Sequence, residues 1–382
     1  MMDTIELARQ VANDVVAPRA EAGDREASWP EVELRALQSA GLGGLVVPRA
    51  HGGLGLGLAA LARVCEALGK ASASVGVCFG MHCVGAAVIA ARATDEQAGR
   101  YLVPIAQGKH LTTLALSEPT TGSRFYLPTA RLTRAEGGFR INGEKSFVTN
   151  GGHADSYVVS TTASADASDA PPGRFSCIVL PQGAPGMVWG TPWFGWGLRG
   201  NASINLKLTD VPVPRGDLVG KEGDQMWFMF HVILPHFLIA MAGTYLGVAS
   251  AALAQGRDHL VRRRYADGKA LADNVLLQHR FGALWADTAR ARSATWEAAA
   301  RADAGDEDSL PAVLSAKADV TESVERVTAA VMTLMGGMGY RDGSAIQRLY
   351  RDARAAPVMT PTTDILRTWT GRALLGLPLL VE

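Results

Sequence analysis

The spacing of apolar residues changes twice along this chain. Over residues 1–110 it is helical: Leu34 and Leu37 share a face, and Leu58, Leu61, Cys65 and Leu68 recur at helical intervals. Ser28-Trp29-Pro30-Glu31 predicts a helix start, with Ser as the cap, Pro in the first turn and Glu at the third position, and Gly41 predicts its end. Thr94 to Gln97 predicts a capping box opening a helix that stops near Gly108. Over 111–222 short apolar runs replace the helical period, at 111–117, 139–141, 146–149, 156–160, 176–180, 187–189 and 204–208. Turn residues separate them, and Gly137-Gly138 is a hairpin signal. Their regular spacing predicts a small sandwich or barrel. Residues 163–173, rich in Ala, Ser, Asp and Pro, predict a mobile loop. From 223 to 382 the helical period returns, in Ala-rich segments near 238–263, 272–302, 311–335 and 363–375. Similar lengths and apolar faces predict an antiparallel four-helix bundle. The predicted fold is therefore mainly α with a central β domain (α+β), divided as 1–110, 111–222 and 223–382.

Composition narrows the function. The 37 basic residues balance 37 acidic ones, so there is no electrostatic case for nucleic acid or an anionic membrane. The four cysteines (Cys65, Cys78, Cys83, Cys177) lack metal or CxxC spacing and read as buried thiols of a reducing compartment. MMDTIELARQ is amphipathic and charged, unlike a signal peptide. The most apolar stretch, 227–253, is broken by His231, Pro235 and His236, so it predicts a core helix and not a membrane span. The expected location is the cytoplasm. The glycine run 52–57 lacks dinucleotide-loop spacing and reads as a connection.

Candidate chemistry concentrates in 111–150. The run 111–117 reads as a buried strand that breaks at Glu118-Pro119 into Thr120, Thr121, Gly122 and Ser123. Such a turn offers backbone N–H groups and short hydroxyls. Phe147 and Thr149, two residues apart, predict one strand face carrying an aromatic ring and a hydroxyl. A flat, partly polar cofactor needs such a surface, although each residue alone fits an ordinary turn or strand.

SEPTTGS followed by NGEKSFVTNGGHAD resembles the acyl-CoA dehydrogenase family, whose usual forms are TEPxAGSD and NGxKxWITNG. The resemblance continues through VPRAHGGLGL, SVGVCFGMH, GLRGN, LVRRRYADGK, TLMGGMGY, RLYRDAR and ILRTWTGRALLG, nearly the whole chain. It implies a helical N-terminal domain, a middle β domain and a C-terminal helical bundle. It also implies FAD lined by Leu114, Leu116, Ser117, Gly122, Ser123, Phe147 and Thr149. Arg264, Gly336 and Gly337 would reach the FAD of a neighbouring subunit, implying a homodimer or homotetramer. Thr362 and Asp364, where the last helix opens, would also bind the cofactor. Departures are plain: Arg124 stands at a family Asp, Phe147 at a Trp, Asp267 at a Phe and Thr333 at a Gln. The cluster at 193–196 reads as core or interface.

The largest departure concerns the base. The family removes the α-proton of an acyl thioester with a carboxylate while the β-hydrogen leaves as hydride. Aligned through Arg351-Asp352-Ala353-Arg354, the glutamate position is Thr360, followed by Pro361. The alternative base position, aligned through Ala242-Gly243, is Phe237, with Leu238 at an adjacent arginine. A positioned base contributes on the order of 10²–10⁴ in rate, and a threonine hydroxyl cannot supply it. His236, His231 and Asp364 are the remaining candidates, the histidines also readable as hydrogen-bonded core residues and Asp364 as an acid opening the last helix. The resemblance implies an FAD-dependent oxidoreductase acting on an acyl-CoA or acyl-carrier-protein thioester, with an electron-transfer partner. A flavin monooxygenase and a non-redox binding role stay open.

Overall fold

Apolar spacing becomes helix throughout the first third of the chain. The computed structural model describes residues 2–164 and 175–380, so the loop predicted at 163–173 lies outside them except for Ala163 and Ser164. Helices run from Met2–Val11 to Ala17–Glu26, then Glu31–Ser39, Leu58–Ala71, Ala73–Arg92 and a run opened by Asp95–Gln97. The Thr94 capping box forms in full. Ser28 does not cap the next helix, contrary to expectation. Pro30 occupies that N-cap, and the Ser28 N–H donates to Gly23 O, closing the preceding helix behind the left-handed Ala27.

The middle domain is two four-stranded sheets. The strands are β1 (Thr112–Ala115), β2 (Arg131–Ala135), β3 (Gly138–Val148), β4 (Ser156–Thr162), β5 (Phe175–Pro181), β6 (Met187–Pro192), β7 (Ile204–Pro214) and β8 (Leu218–Val219). One sheet has the order β1-β4-β5-β8 and the other β2-β3-β7-β6. β1 runs parallel to β4, and all other pairs are antiparallel. The Ala73–Arg92 helix covers β1 and β4, which is why β1 is buried along its whole length.

Two expectations need correction here. The runs 139–141 and 146–149 are not separate strands, because β3 is continuous from Gly138 and steps its register against β7 on both sides of 143–145. The second step puts Phe147 at φ 54°, so the residue leaves the alternation and is 57% exposed. Phe147 and Thr149 therefore share a site through a bulge, not through strand periodicity. The cluster at 193–196 is not core: Phe194 is 76% exposed and Trp196 61%.

Four long helices form the C-terminal bundle: Leu234–Arg262, Val275–Asp303, Ser309–Met335 and Thr363–Leu374. Two apolar segments, Ala73–Arg92 and Met226–Arg262, are long enough to cross a membrane, and 89% and 78% of their apolar windows are buried inside the protein. That burial fits core helices. The Leu58–Ala71 and Leu234–Arg262 helices join the first domain to the bundle at backbone contact. A Cβ on Gly69 would lie 2.1 Å from Thr244 O, and one on Gly247 2.3 Å from Glu66 O.

Gly69→Ala is expected to force these helices apart and cost about 1–3 kcal/mol or more, the range for overpacking. Urea unfolding checks it against Gly99→Ala, whose new Cβ would meet nothing within 4 Å.

Candidate functional site: a cavity shared by the three domains

The break in β1 and the bulge in β3 face the bundle across a cavity of about 700 Å³. The turn after β1 contributes Leu116, Ser117 and Gly122, and the end of β3 contributes Ser146, Phe147 and Thr149. The opposite wall comes from Met229, Ile233 and Phe237 and from the segment containing Arg354, Met359, Thr360 and Pro361. Trp193 and Trp196 border it, with the Trp193 ring edge-on to Phe147 at 5.7 Å between centroids.

A buried ion pair holds the two β segments together. Lys145 Nζ lies 2.6 Å from Glu118 Oε1, at 0% and 1% side-chain exposure. Thr129 N and Oγ1 and Ala130 N also donate to the carboxylate, and Lys145 donates to Ser160 Oγ at 3.0 Å. Burial pushes the Glu118 carboxyl up, but Lys145 and the Thr129 donors outweigh it and leave it below the usual range. Burial pushes the Lys145 ammonium down, and Glu118 restores only part of that. Beside the pair, Ser146 N donates to Ser117 O at 2.8 Å.

Further hydrogen bonds tie the site to its neighbours. Asn150, fully buried, accepts from Trp29 Nε1 at 2.9 Å and donates to Cys78 O at 3.0 Å, fastening the end of β3 to the N-terminal helices. Asp352 accepts from Leu198 N at 2.7 Å. Arg351 donates to Asp24 and, at 2.8 Å, to Trp196 O, while Arg354 pairs with Glu325. Both arginines that line the cavity are thus spent on acids outside it. Glu118 is the one carboxylate among the described lining residues, and Lys145 holds it.

Six of the residues expected around a flavin meet at this cavity: Leu114, Leu116, Ser117, Gly122, Phe147 and Thr149. Ser123 does not; it lies on the exposed turn Gly122–Arg124 just beyond. Arg264, Gly336 and Gly337 are exposed and outside the lining of their own chain. Thr362 and Asp364 also lie outside it, as N-cap and first turn of the Thr363–Leu374 helix. Thr360 lines the cavity, and so does Phe237. His236 does not: its Nδ1 bonds Val232 O at 2.7 Å within its own helical run, and burial lowers its pKa. His231 is similarly bonded to Trp227 O and exposed. The sequence reading missed Lys145, Glu118, Asn150 and Asp352. A signal existed for the first, a charged residue in an inward register of a strand.

Three acyl-CoA dehydrogenase domain models match the chain: the N-terminal domain over 3–109, the middle domain over 113–211 and the C-terminal domain over 232–375. A cyclohex-1-ene-1-carbonyl-CoA dehydrogenase of Geobacter metallireducens is 31% identical over 373 residues, 97% of each chain. The chain belongs to the acyl-CoA dehydrogenase family. An acyl-CoA dehydrogenase of Bacillus subtilis is 29% identical over 97% of this chain and 96% of its own. The structure of butyryl-CoA dehydrogenase from Megasphaera elsdenii superposes with a TM-score of 0.91 at 26% identity, covering 98% of this chain and 97% of that one.

This member of the family is accordingly a flavoenzyme oxidoreductase that uses FAD. The cavity fits a flavin ring. Ser146 and Thr149, each 5% exposed, line it with hydroxyls that make no side-chain hydrogen bond among the described residues. Hydroxyls that open on a cavity without a protein partner can bond a ligand or water, and apolar walls with a few convergent polar groups suit a cofactor ring.

Asp352 gives the wall a pH dependence. Burial raises its carboxyl from 3.8 to about 6. Between roughly pH 4 and 6 the native state keeps a proton that the unfolded state has lost, so this group's contribution falls as pH rises. Asp352→Asn, which still accepts from Leu198 N, is expected to remove that slope, up to about 3 kcal/mol across the window. Urea midpoints from pH 4 to pH 7 for both proteins check it.

Proposed function

We propose that this chain oxidises an acyl thioester, bound to CoA or to a carrier protein, with FAD and without a carboxylate at the family's base positions. The observation that carries the reading is the cavity itself: hydroxyls and an aromatic ring on the β side, and Thr360 between Met359 and Pro361 opposite, with no unpaired carboxylate among the described lining residues. Leu114, Leu116 and Ile233 would pack the ring and the acyl chain, and Ser117 and Thr149 would donate to polar edges. Bound FAD would accept the β-hydrogen as hydride. No carboxylate among the described lining residues is free to receive the α-proton, which makes proton removal the slow step in this reading. Four buried free thiols fit a reducing cytoplasm.

The test is anaerobic mixing of the purified flavoprotein with saturated acyl thioesters while flavin absorbance is followed. Slow bleaching is expected for the wild type. Thr360→Glu should bleach faster, by less than the full 10²–10⁴ of a positioned base, because Pro361 stiffens the backbone beside the new side chain. Rapid bleaching by the wild type would sink the reading.

We also infer a homodimer or homotetramer. Arg264, Gly336 and Gly337 are exposed and outside their own chain's cavity, which suits groups that complete a neighbour's site. Sedimentation at micromolar concentration should show a dimer or larger species; a monomer retaining full FAD would contradict this.

A further inference from the structure

Lys317 lies on the Ser309–Met335 helix and is completely buried. Its Nζ donates to Ala356 O at 2.8 Å, Met359 O at 2.8 Å and Pro361 O at 2.9 Å. These carbonyls belong to the short Ala355–Val358 helix and the turn that follows it. Helix ends leave carbonyls without intrahelical donors, and here a side chain about forty residues away in sequence satisfies them. No ion pair involves Lys317 among the described residues, and burial alone pulls its pKa down to about 7. The geometry argues for the ammonium all the same. Three acceptors at hydrogen-bond distance need three protons, and a neutral amine would turn its lone pair on one of them. A buried cation without a carboxylate is costly, so its retention calls for a reason.

We propose that Lys317 is the positioning residue of the slot at Thr360: by gripping the carbonyls on both sides, it fixes where any group at position 360 points into the cavity. The residue does not line the cavity itself. It acts through the backbone, with a donor set that is indifferent to the side chain at 360. This rests on the reading of Thr360 as the base position.

Two measurements on the FAD-loaded protein test it. The first is amide hydrogen exchange over 355–362 in wild type, K317Q and K317M. Exchange there should quicken at least about tenfold in K317M and less in K317Q, which keeps part of the donor set, while β1 and β3 stay protected. Unchanged exchange in that segment would overturn the proposal. The second is a double-mutant cycle with Thr360→Glu, read as flavin bleaching by an acyl thioester. The gain from the glutamate should shrink at least about threefold when Lys317 is replaced, because a carboxylate on a loosened turn no longer points at the substrate. An equal gain in both backgrounds would also overturn it, since a residue that only stabilises the fold would give additive effects. If K317M does not fold, K317Q serves in both measurements. If Thr360→Glu gains nothing even with Lys317 present, the reading of position 360 fails by itself, and the exchange result alone decides the role of Lys317.

Discussion

The site depends on one buried ion pair. Glu118 and Lys145 give up nearly all contact with water, and desolvation of such groups costs several kcal/mol per ion. That cost is offset only if every lone pair and proton finds a partner. Here the carboxylate gathers Thr129 N, Thr129 Oγ1 and Ala130 N, and the ammonium adds Ser160 Oγ and, more loosely, Leu116 O. Loss of one partner of such a pair typically costs about 3–5 kcal/mol, because the other charge stays buried alone. The pair is therefore poor as net stabilisation and strong as a geometric constraint. It sets the distance between the turn after β1 and the end of β3, and so the width of the cavity's β wall.

The other walls are fixed by the same means, polar groups shared between domains. Asn150 ties β3 to the N-terminal helices, Asp352 ties the 198 backbone to the Ala345–Ala353 helix, and Arg351 joins Asp24 to Trp196 O. Each is a side chain from one domain satisfying groups of another. The helical domains also meet backbone to backbone at Gly69 and Gly247, which leaves little freedom for hinge motion there. The cavity is thus built between domains and fastened by hydrogen bonds from each of them.

Much of this was legible in the sequence. Helical and strand periods located the elements because they arise from local burial, and the Thr94 capping box formed as its residues dictate. Leu116, Ser117, Gly122, Phe147 and Thr149 were recognisable through their motifs, and they meet at one cavity. The misses share a physical cause. Ser28 lost its expected capping role because a left-handed Ala27 turned it toward the outgoing helix. Phe147 left its strand face because β3 bulges, and bulges are set by the partner strand β7. Lysine is seldom fully buried, and the burial of Lys145 and Lys317 follows from partners far along the chain. The rings of 193–196 read as core or interface from their apolar character, and their exposure rules out the first.

The residues proposed to contact the flavin and the position proposed for proton removal are held by different parts of this architecture. The β-side groups are fixed by Glu118, Lys145 and Asn150, none of which hydrogen-bonds position 360 among the described residues. The turn that carries position 360 is held through carbonyls by Lys317, and a carbonyl is the same whatever side chain stands beside it. Because Lys317 holds only backbone carbonyls, a change of side chain at 360 removes none of these three hydrogen bonds. A chain can therefore keep the fold, the cavity and the cofactor surface while losing the group that takes the α-proton. In the proposed reading, the groups that hold the cofactor wall do not include position 360, so a base can be lost there while the surface that takes FAD stays intact.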